Sequence, residues 1–258
     1  MNKDVRRQLI NVLATLVTIA VNALANALPL NGKNTGQISD QFQVYFVPAG
    51  YVFAIWGLIY LALLAFMVYQ ALPAQRENPR LRRIGYLYAG TCLANSVWIF
   101  LWHWELFALT VPVMLALLVL LIMIYVRLGI GRTVVSSAAK WCVHIPFSLY
   151  LGWITVATVA NVSQFLVSVD WGGWGIAPVT WAIIMLLAAA LIATLVSLTR
   201  GDIAYIAVIV WAFIGIAVKQ WGEWAVAAPA ALLAAAVAAT LLVSVPQIKP
   251  KRTTPWVG

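Results

Sequence analysis

Apolar residues along the chain fall into eight long runs that are separated by short polar or charged connections. The runs cover approximately residues 8–28, 49–72, 84–104, 106–127, 141–168, 177–199, 203–219 and 224–245. Most of them reach the roughly 20 helical residues that cross a hydrocarbon core of about 30 Å. A chain that is 64% hydrophobic and only 9% charged would expose most of its apolar surface as a soluble domain. The pattern predicts an all-α fold, a polytopic transmembrane helical bundle of about eight spans.

The charges predict how this bundle is oriented. If the N-terminus is cytoplasmic, all 16 Lys and Arg residues except Lys33 and Lys219 fall on the cytoplasmic side. We therefore expect an integral, multi-pass protein of a bacterial-type inner (plasma) membrane, with both termini cytoplasmic. Residues 1–27 resemble a signal peptide, but their apolar part exceeds the usual length of roughly 7 to 15 residues. We interpret this stretch as a retained first span.

Several classes of function are disfavoured by what the chain carries. Its net charge of +9 comes from short basic clusters between apolar runs, which are topology signals and not a surface for nucleic acid. No carboxylate, Lys or Arg falls in the middle of a span, as ion-coupled carriers usually require. His103 and His144 belong to opposite sides of the membrane and cannot share a metal. Hydrolytic and nucleotide-binding motifs are absent, so the residues predict neither an enzyme nor a metal site.

Tryptophan is abundant, with 13 residues, and the aromatic belts at the two membrane surfaces explain most of them. The belt residues are Trp102, Trp104, Trp171, Trp174, Trp181, Trp221 and Trp224 on the outer side and Trp141 and Trp256 on the inner side. Trp56, Trp98, Trp153 and Trp211 remain, because they lie inside the predicted spans.

Three of these four belong to helical faces that mix rings, amides and small residues at spacings of three or four. The faces hold Phe53, Trp56 and Tyr60 in span 2, Cys92, Asn95, Trp98 (or Ile99) and Trp102 in span 3, and Pro146, Tyr150, Trp153, Ala157 and Asn161 in span 5. One interpretation is ordinary helix packing, in which the amides hydrogen bond across an interface. The other is a cavity in the outer half of the bundle, below the long connection from Leu28 to Val47. Flat aromatic walls with two amides would suit a large, planar, mostly apolar ligand.

The same faces carry a family resemblance. VPAGYVFAIWGLIY, LANSVW and WITVATVAN resemble, in order, the patterns PPxWVFGPVWxxLY, LNxxW and WxxFATxLN of the translocator protein or tryptophan-rich sensory protein (TspO/MBR) family. The likeness covers residues 11–164. It departs from the pattern where Pro48 is followed by Ala49 and where Tyr51 stands one residue closer to Trp56 than the family Trp. The resemblance implies a TspO-like five-helix bundle at residues 1–168. Residues 169–258 would add three spans and a short basic cytoplasmic tail, as in an extended, divergent member.

By this resemblance we expect a sensory or regulatory membrane protein that binds a tetrapyrrole (porphyrin) or an isoprenoid- or sterol-like ligand. The alternatives are a facilitative transporter of such a ligand and a structural subunit of a larger membrane complex. No obligatory cofactor is expected, although a porphyrin or haem-like molecule is a candidate ligand, and porphyrin degradation follows from the resemblance alone. The expected partners are membrane lipid, the hydrophobic small molecule, and a second copy or a larger membrane complex, but no nucleic acid.

Overall fold

The computed structural model describes residues 2–28 and 30–248, and within these the chain forms eight long helices at the eight predicted apolar runs. They are α1 (Lys3–Ala27), α2 (Ile55–Ala71), α3 (Leu87–His103), α4 (Phe107–Leu128), α5 (Ile145–Ser168), α6 (Pro178–Arg200), α7 (Ile203–Lys219) and α8 (Trp224–Gln247). The predicted all-α helical bundle is confirmed.

The lengths of these helices fit a membrane-spanning protein. Six stretches of the described chain are long and apolar enough to cross a membrane. They are Lys3–Ala27, Gly50–Ala71, Phe107–Leu128, Ser137–Ser168, Pro178–Arg200 and Trp224–Gln247. The other two helices, α3 and α7, have 17 residues each and so span about 25 Å, the lower limit for a crossing. The chain is an integral, multi-pass membrane protein.

The two ends of the bundle differ in charge. The loop end carries residues 30–54, with Lys33, whereas the basic end carries the connection from α2 to α3 and its short helix Pro79–Ile84. That short helix contains Arg80, Arg82 and Arg83. The predicted basic tail with Lys249, Lys251 and Arg252, and the predicted belt residue Trp256, lie outside the described residues.

Helix α1 is polar on its buried face and apolar on its exposed face. The buried positions recur every three or four residues and are mostly polar: Arg7, Gln8, Asn11, Thr15, Thr18, Asn22 and Ala25. The Thr15 hydroxyl lies 2.8 Å from the Tyr88 hydroxyl, and the Thr18 hydroxyl donates to the Cys92 carbonyl at 3.1 Å. Leu13 and Val17 point outward. This order is the reverse of a soluble amphipathic helix and suits a helix with lipid on its outer side.

Helix α5 lies at the centre of the bundle. In its apolar window 78% of the residues are buried, against 28–33% in the other candidate spans. It packs against α2 and α4 on one side and against α7 on the other. Gly152 allows the approach of α7, because a Cβ there would stand 3.1 Å from the Tyr205 carbonyl oxygen and from Val208 Cβ. Helices α6 and α8 pack on each other and on α7, so α7 joins the last three helices to the first five.

A buried carboxylate reinforces this junction at the basic end. Asp202 caps the N-terminus of α7 by accepting from the Tyr205 backbone N–H at 3.2 Å. Its other oxygen accepts from the Tyr125 hydroxyl of α4 at 2.8 Å and from the Ser148 hydroxyl of α5 at 2.6 Å. One side chain therefore connects three helices.

We expect Asp202→Ala to destabilise the folded protein by about 2–4 kcal/mol, because it removes a helix cap and leaves two buried hydroxyls without an acceptor. Asp202→Asn keeps one acceptor oxygen and should lose less. Thermal unfolding in detergent measures the effect, with Glu77→Ala, an exposed carboxylate, as the control. Equal unfolding temperatures for Asp202→Ala and Glu77→Ala would contradict the role of the Asp202 junction.

Candidate functional site

Aromatic side chains from the 3₁₀ turn Gly50–Ala54, from α2 and from α5 form one wall of a small cavity at the loop end. The Trp153 ring lies edge-on to Phe53 and to Trp56, with centroids 5.7 and 6.1 Å apart. Trp98 and Trp102 of α3 stack on each other at 5.1 Å and form the facing wall. The three faces predicted from the sequence therefore converge in part on one space.

The cavity is lined by α2, α3, α4, α5 and the connection between α1 and α2, and its volume is about 40 Å³. Its lining is Thr35, Ser39, Val47, Pro48, Phe53, Trp56, Trp98, Trp102, Met114, Trp153, Val156, Ala157, Ala160, Asn161 and Gln164. Pockets that hold drug-sized ligands have volumes of roughly 300–1,000 Å³. The described conformation is therefore closed to a large ligand.

Of the nine predicted site residues, three do not line the cavity. Tyr60 stacks on Trp56 with centroids 5.4 Å apart and an angle of 17° between the planes. Asn95 and Tyr150 hydrogen bond to each other at 3.0 Å behind the Trp56 ring. Phe53, Trp56, Trp98, Trp153, Ala157 and Asn161 do line it. A ligand contact for any of the nine stays a prediction.

Both predicted amides tie helices together. Asn95 accepts from the Asn22 amide of α1 at 2.7 Å and donates to Tyr150 of α5. Asn161 accepts from the Trp98 indole N–H at 3.0 Å and donates to the Thr110 hydroxyl at 2.7 Å. These bonds are the cross-helix packing that the sequence left open as an alternative, and they use the polar atoms that a ligand would need.

Two residues that line the cavity each carry a buried polar atom without a partner. The indole N–H of Trp153 and the amide oxygen of Gln164 are buried and make no hydrogen bond. Both residues belong to α5, and eleven positions separate them along one helical face, a distance of about 16 Å. The Gln164 amide nitrogen donates to the Ile38 carbonyl at 3.3 Å. An unpaired donor and an unpaired acceptor thus belong to two side chains of the cavity wall about three turns of α5 apart.

Nine of the fifteen lining residues are outside the predicted site, and three residues outside that prediction make hydrogen bonds here. Trp102 belongs to the predicted face of span 3 but is also predicted as a belt residue; it is only 5% exposed and donates to the Thr35 carbonyl at 3.2 Å, so the belt prediction is wrong. Gln164 and Asn22 were not singled out. For Asn22 a signal was available, since polar residues recur at helical spacing along the whole of α1.

The roof of the site is the connection between α1 and α2. The short helix Thr35–Ser39 is fixed to α3 through His103, whose Nε2 lies 3.2 Å from the Thr35 hydroxyl. The other ring nitrogen donates to the Leu30 carbonyl at 3.1 Å. Within residues 2–28 and 30–248 no group of three His, Cys, Asp or Glu side chains is placed to hold a metal ion.

A charge cluster anchors the roof at its rim. Glu105 accepts from the Lys33 ammonium at 2.7 Å and from the Gln41 amide at 3.0 Å. These two hydrogen bonds hold the pKa of the Glu105 carboxyl below its ordinary range.

The chain is similar to one family of known proteins. A family model described as TSPO-like protein matches residues 8–244, which include nearly all of the eight helices. No curated protein and no solved structure matches the chain. The match does not end at residue 168, and the predicted division of the chain at that point stays a prediction.

The connection between α1 and α2 should become less stable at acidic pH. A carboxyl group whose pKa is lower in the folded than in the unfolded state stabilises the folded state at pH values above its unfolded-state pKa. This stabilisation is lost as the pH falls through the pKa of the folded state. We expect amide hydrogen exchange in residues 30–41 to accelerate as the pH falls below the ordinary range of a carboxyl pKa, after correction for intrinsic rates. Glu105→Gln should remove this pH dependence. A wild-type profile that matches the Glu105→Gln profile would refute the assignment.

The amide of Asn95 should matter for stability more than for access to the cavity. Asn95→Ala leaves the Asn22 amide group and the Tyr150 hydroxyl without their buried partner, which costs about 1–3 kcal/mol. Thermal unfolding measures this loss, with Asn26→Ala as the control, because the exposed Asn26 side chain donates within its own helix, to the Asn22 carbonyl. Equal unfolding temperatures for the two variants would show that the Asn95 network does not hold α1, α3 and α5 together.

Proposed function

The chain belongs to the family of TSPO-like proteins, and from this premise we propose that it is a sensory or regulatory membrane protein that binds a planar hydrophobic ligand. The ligand class is a tetrapyrrole or an isoprenoid- or sterol-like molecule. The site is the cavity between α2, α3 and α5. The family match and the membrane-spanning helices support the setting, and the details of the cavity support the site.

The observation that carries the proposal is that two side chains of the cavity wall, Trp153 and Gln164, each hold a buried polar atom without a partner. Buried polar groups in proteins are nearly always hydrogen-bonded, and an unpaired one costs about 1–3 kcal/mol. The Trp153 indole N–H and the Gln164 amide oxygen would gain partners from the polar substituents of a bound ligand, or from water in its absence. The rest of the wall is aromatic and aliphatic, which suits the apolar body of such a ligand.

The packing of the bundle between the cavity and the basic end supports a ligand-binding protein more than a transporter that lets the ligand cross the membrane. Phe66 of α2, Tyr88 of α3 and Phe147 of α5 are almost fully buried and meet with centroids 4.7 to 5.8 Å apart. These rings belong to three of the helices that line the cavity and lie two to three turns nearer the basic end. A facilitative transporter would have to open this aromatic floor, whereas a binding protein would not.

The lining also supports binding without catalysis. The side chains that face the cavity are aromatic, aliphatic, hydroxyl and amide groups, and none of them titrates near neutral pH. General acid–base chemistry needs a group of suitable pKa within reach of the substrate. This favours a binding role over porphyrin degradation.

The orientation in the membrane is part of the same proposal. Arg80, Arg82, Arg83 and Arg127 all lie at the basic end. By the positive-inside rule that end faces the cytoplasm, and the cavity then opens from the outer half of a bacterial-type inner membrane.

The binding test is a titration of the detergent-purified protein with protoporphyrin IX, followed by the absorbance and fluorescence of the porphyrin. We expect saturable binding, and its loss in Ala157→Phe, because a Phe ring there would fill the cavity. Trp153→Phe keeps the ring shape but removes the N–H donor, and should weaken binding about 3- to 10-fold.

The matched controls are changes of the same kind away from the cavity. Ala188→Phe on the exposed face of α6 and Trp104→Phe, which is 51% exposed, should bind like the wild type. A parallel titration with a fluorescent sterol distinguishes the two ligand classes. Saturable binding of neither ligand, or equal binding by Ala157→Phe and Ala188→Phe, would refute the proposal.

A further inference from the structure

Helix α7 contacts the part of the chain that closes the cavity at the loop end. We call residues 40–54 the cover segment; it runs from the short helix Thr35–Ser39 to the start of α2 and includes the 3₁₀ turn Gly50–Ala54. Three of its residues, Val47, Pro48 and Phe53, line the cavity. The cover segment is therefore a wall of the site, and α7 lies on its other side.

The closest contact is between two backbones. The Ala49 N–H donates to the Gly215 carbonyl of α7 at 3.0 Å. A Cβ at position 215 would overlap with Val52 Cγ2 and would stand 3.1 Å from Pro48 Cβ. Glycine at 215 is thus what allows α7 to reach the cover segment.

A tryptophan adds a second contact one turn away. The Trp211 indole N–H donates to the Val52 carbonyl at 3.2 Å, and its ring lies edge-on to Tyr51 with centroids 5.4 Å apart. The sequence predicts that Trp211 lies inside a span but gives it no position in the cavity, and this contact supplies a role for it.

Two polar contacts complete the attachment at the end of α7. The Lys219 ammonium pairs with the Asp40 carboxylate at 2.5 Å, and the Gln220 amide donates to the Tyr45 carbonyl at 3.2 Å. The contacts of α7 therefore extend from one end of the cover segment almost to the other.

From these contacts we propose that α7, carried by the last three helices, is a latch that holds the cover segment over the cavity and controls entry to it. This rests on the proposed function, since a planar ligand needs far more than the present 40 Å³. The helix walls are tied by Asn95 and Asn161 through buried bonds. The cover segment is held to α7 partly by an exposed ion pair, which costs less to break than the buried hydrogen bonds between the helices.

The test measures access to the cavity without a ligand. In a chain with Cys142→Ser, the change Ala157→Cys places a thiol on the cavity wall, and its rate of reaction with a small maleimide reports opening. The Cys142→Ser chain that retains Ala157 gives the background from the buried Cys92. The latch is weakened by Trp211→Phe with Lys219→Gln, and independently by Gly215→Ala, which pushes Val52 away.

We expect the rate of labelling of the thiol introduced by Ala157→Cys to rise about tenfold in the Trp211→Phe, Lys219→Gln variant, which loses one hydrogen bond and one ion pair. Gly215→Ala should show a similar or larger rise. The controls are Gly222→Ala, where an added Cβ meets nothing within 4 Å, and Trp224→Phe, which is 60% exposed. Both control variants should be labelled at the same rate as the parent chain with Cys142→Ser and Ala157→Cys.

The association rate of protoporphyrin IX, measured on the same variants, separates the two proposals. Faster labelling together with faster association supports the latch, and faster labelling without porphyrin binding in any variant refutes the ligand but keeps the latch. The latch is overturned if the Trp211→Phe, Lys219→Gln variant keeps its unfolding temperature but is labelled at the same rate as the parent chain with Cys142→Ser and Ala157→Cys. If Gly215→Ala does not fold, the double variant alone decides.

Discussion

The arrangement of the helices depends on two buried amides, those of Asn95 and Asn161, each of which accepts and donates a hydrogen bond to neighbouring helices inside an apolar bundle. Lipid offers no hydrogen bonds, so a polar side chain that faces the bundle must be satisfied by a neighbouring helix. Asn95 meets this need by linking α3 to α1 and α5, and Asn161 by linking α5 to α3 and α4. Because both amides fix α3 against α5, they also fix the two aromatic walls between which the cavity lies.

Some of this structure is predictable from the sequence, and the reason is periodicity. The run lengths locate all eight helices, and the spacing of Trp56, Trp98 and Trp153 places three rings on faces that meet. Spacing gives the face of a helix but not the identity of its neighbour. Asn95 shares a face with Trp98, yet its partner is Asn22 of α1, a helix that the sequence did not connect with the site. Trp102 shows a second limit, because a belt residue and a cavity residue occur at the same depth.

The volume of the cavity was not predictable, because it is set by how the rings pack against each other. Trp153 meets Phe53 and Trp56 edge-on, and the cavity beside these rings has a volume of only about 40 Å³. Likewise, the motif resemblance covers residues 11–164 and does not say what the last three helices contact. Gly152, Asp202 and Gly215 supply those contacts, and each is a single residue whose role depends on a partner more than 50 positions away in the chain.

A closed cavity and a binding role are compatible if opening costs less than the ligand contributes. When only a fraction of the molecules is open, the apparent dissociation constant rises by the inverse of that fraction. A cover segment held by a few net hydrogen bonds of about 1 kcal/mol each would reduce affinity by roughly 10- to 100-fold. Burial of apolar surface contributes about 25 cal/mol per Å², so roughly 100 Å² of a planar ligand would offset that cost. If the proposed ligand binds, the cost of opening therefore sets a minimum apolar area that the ligand must bury.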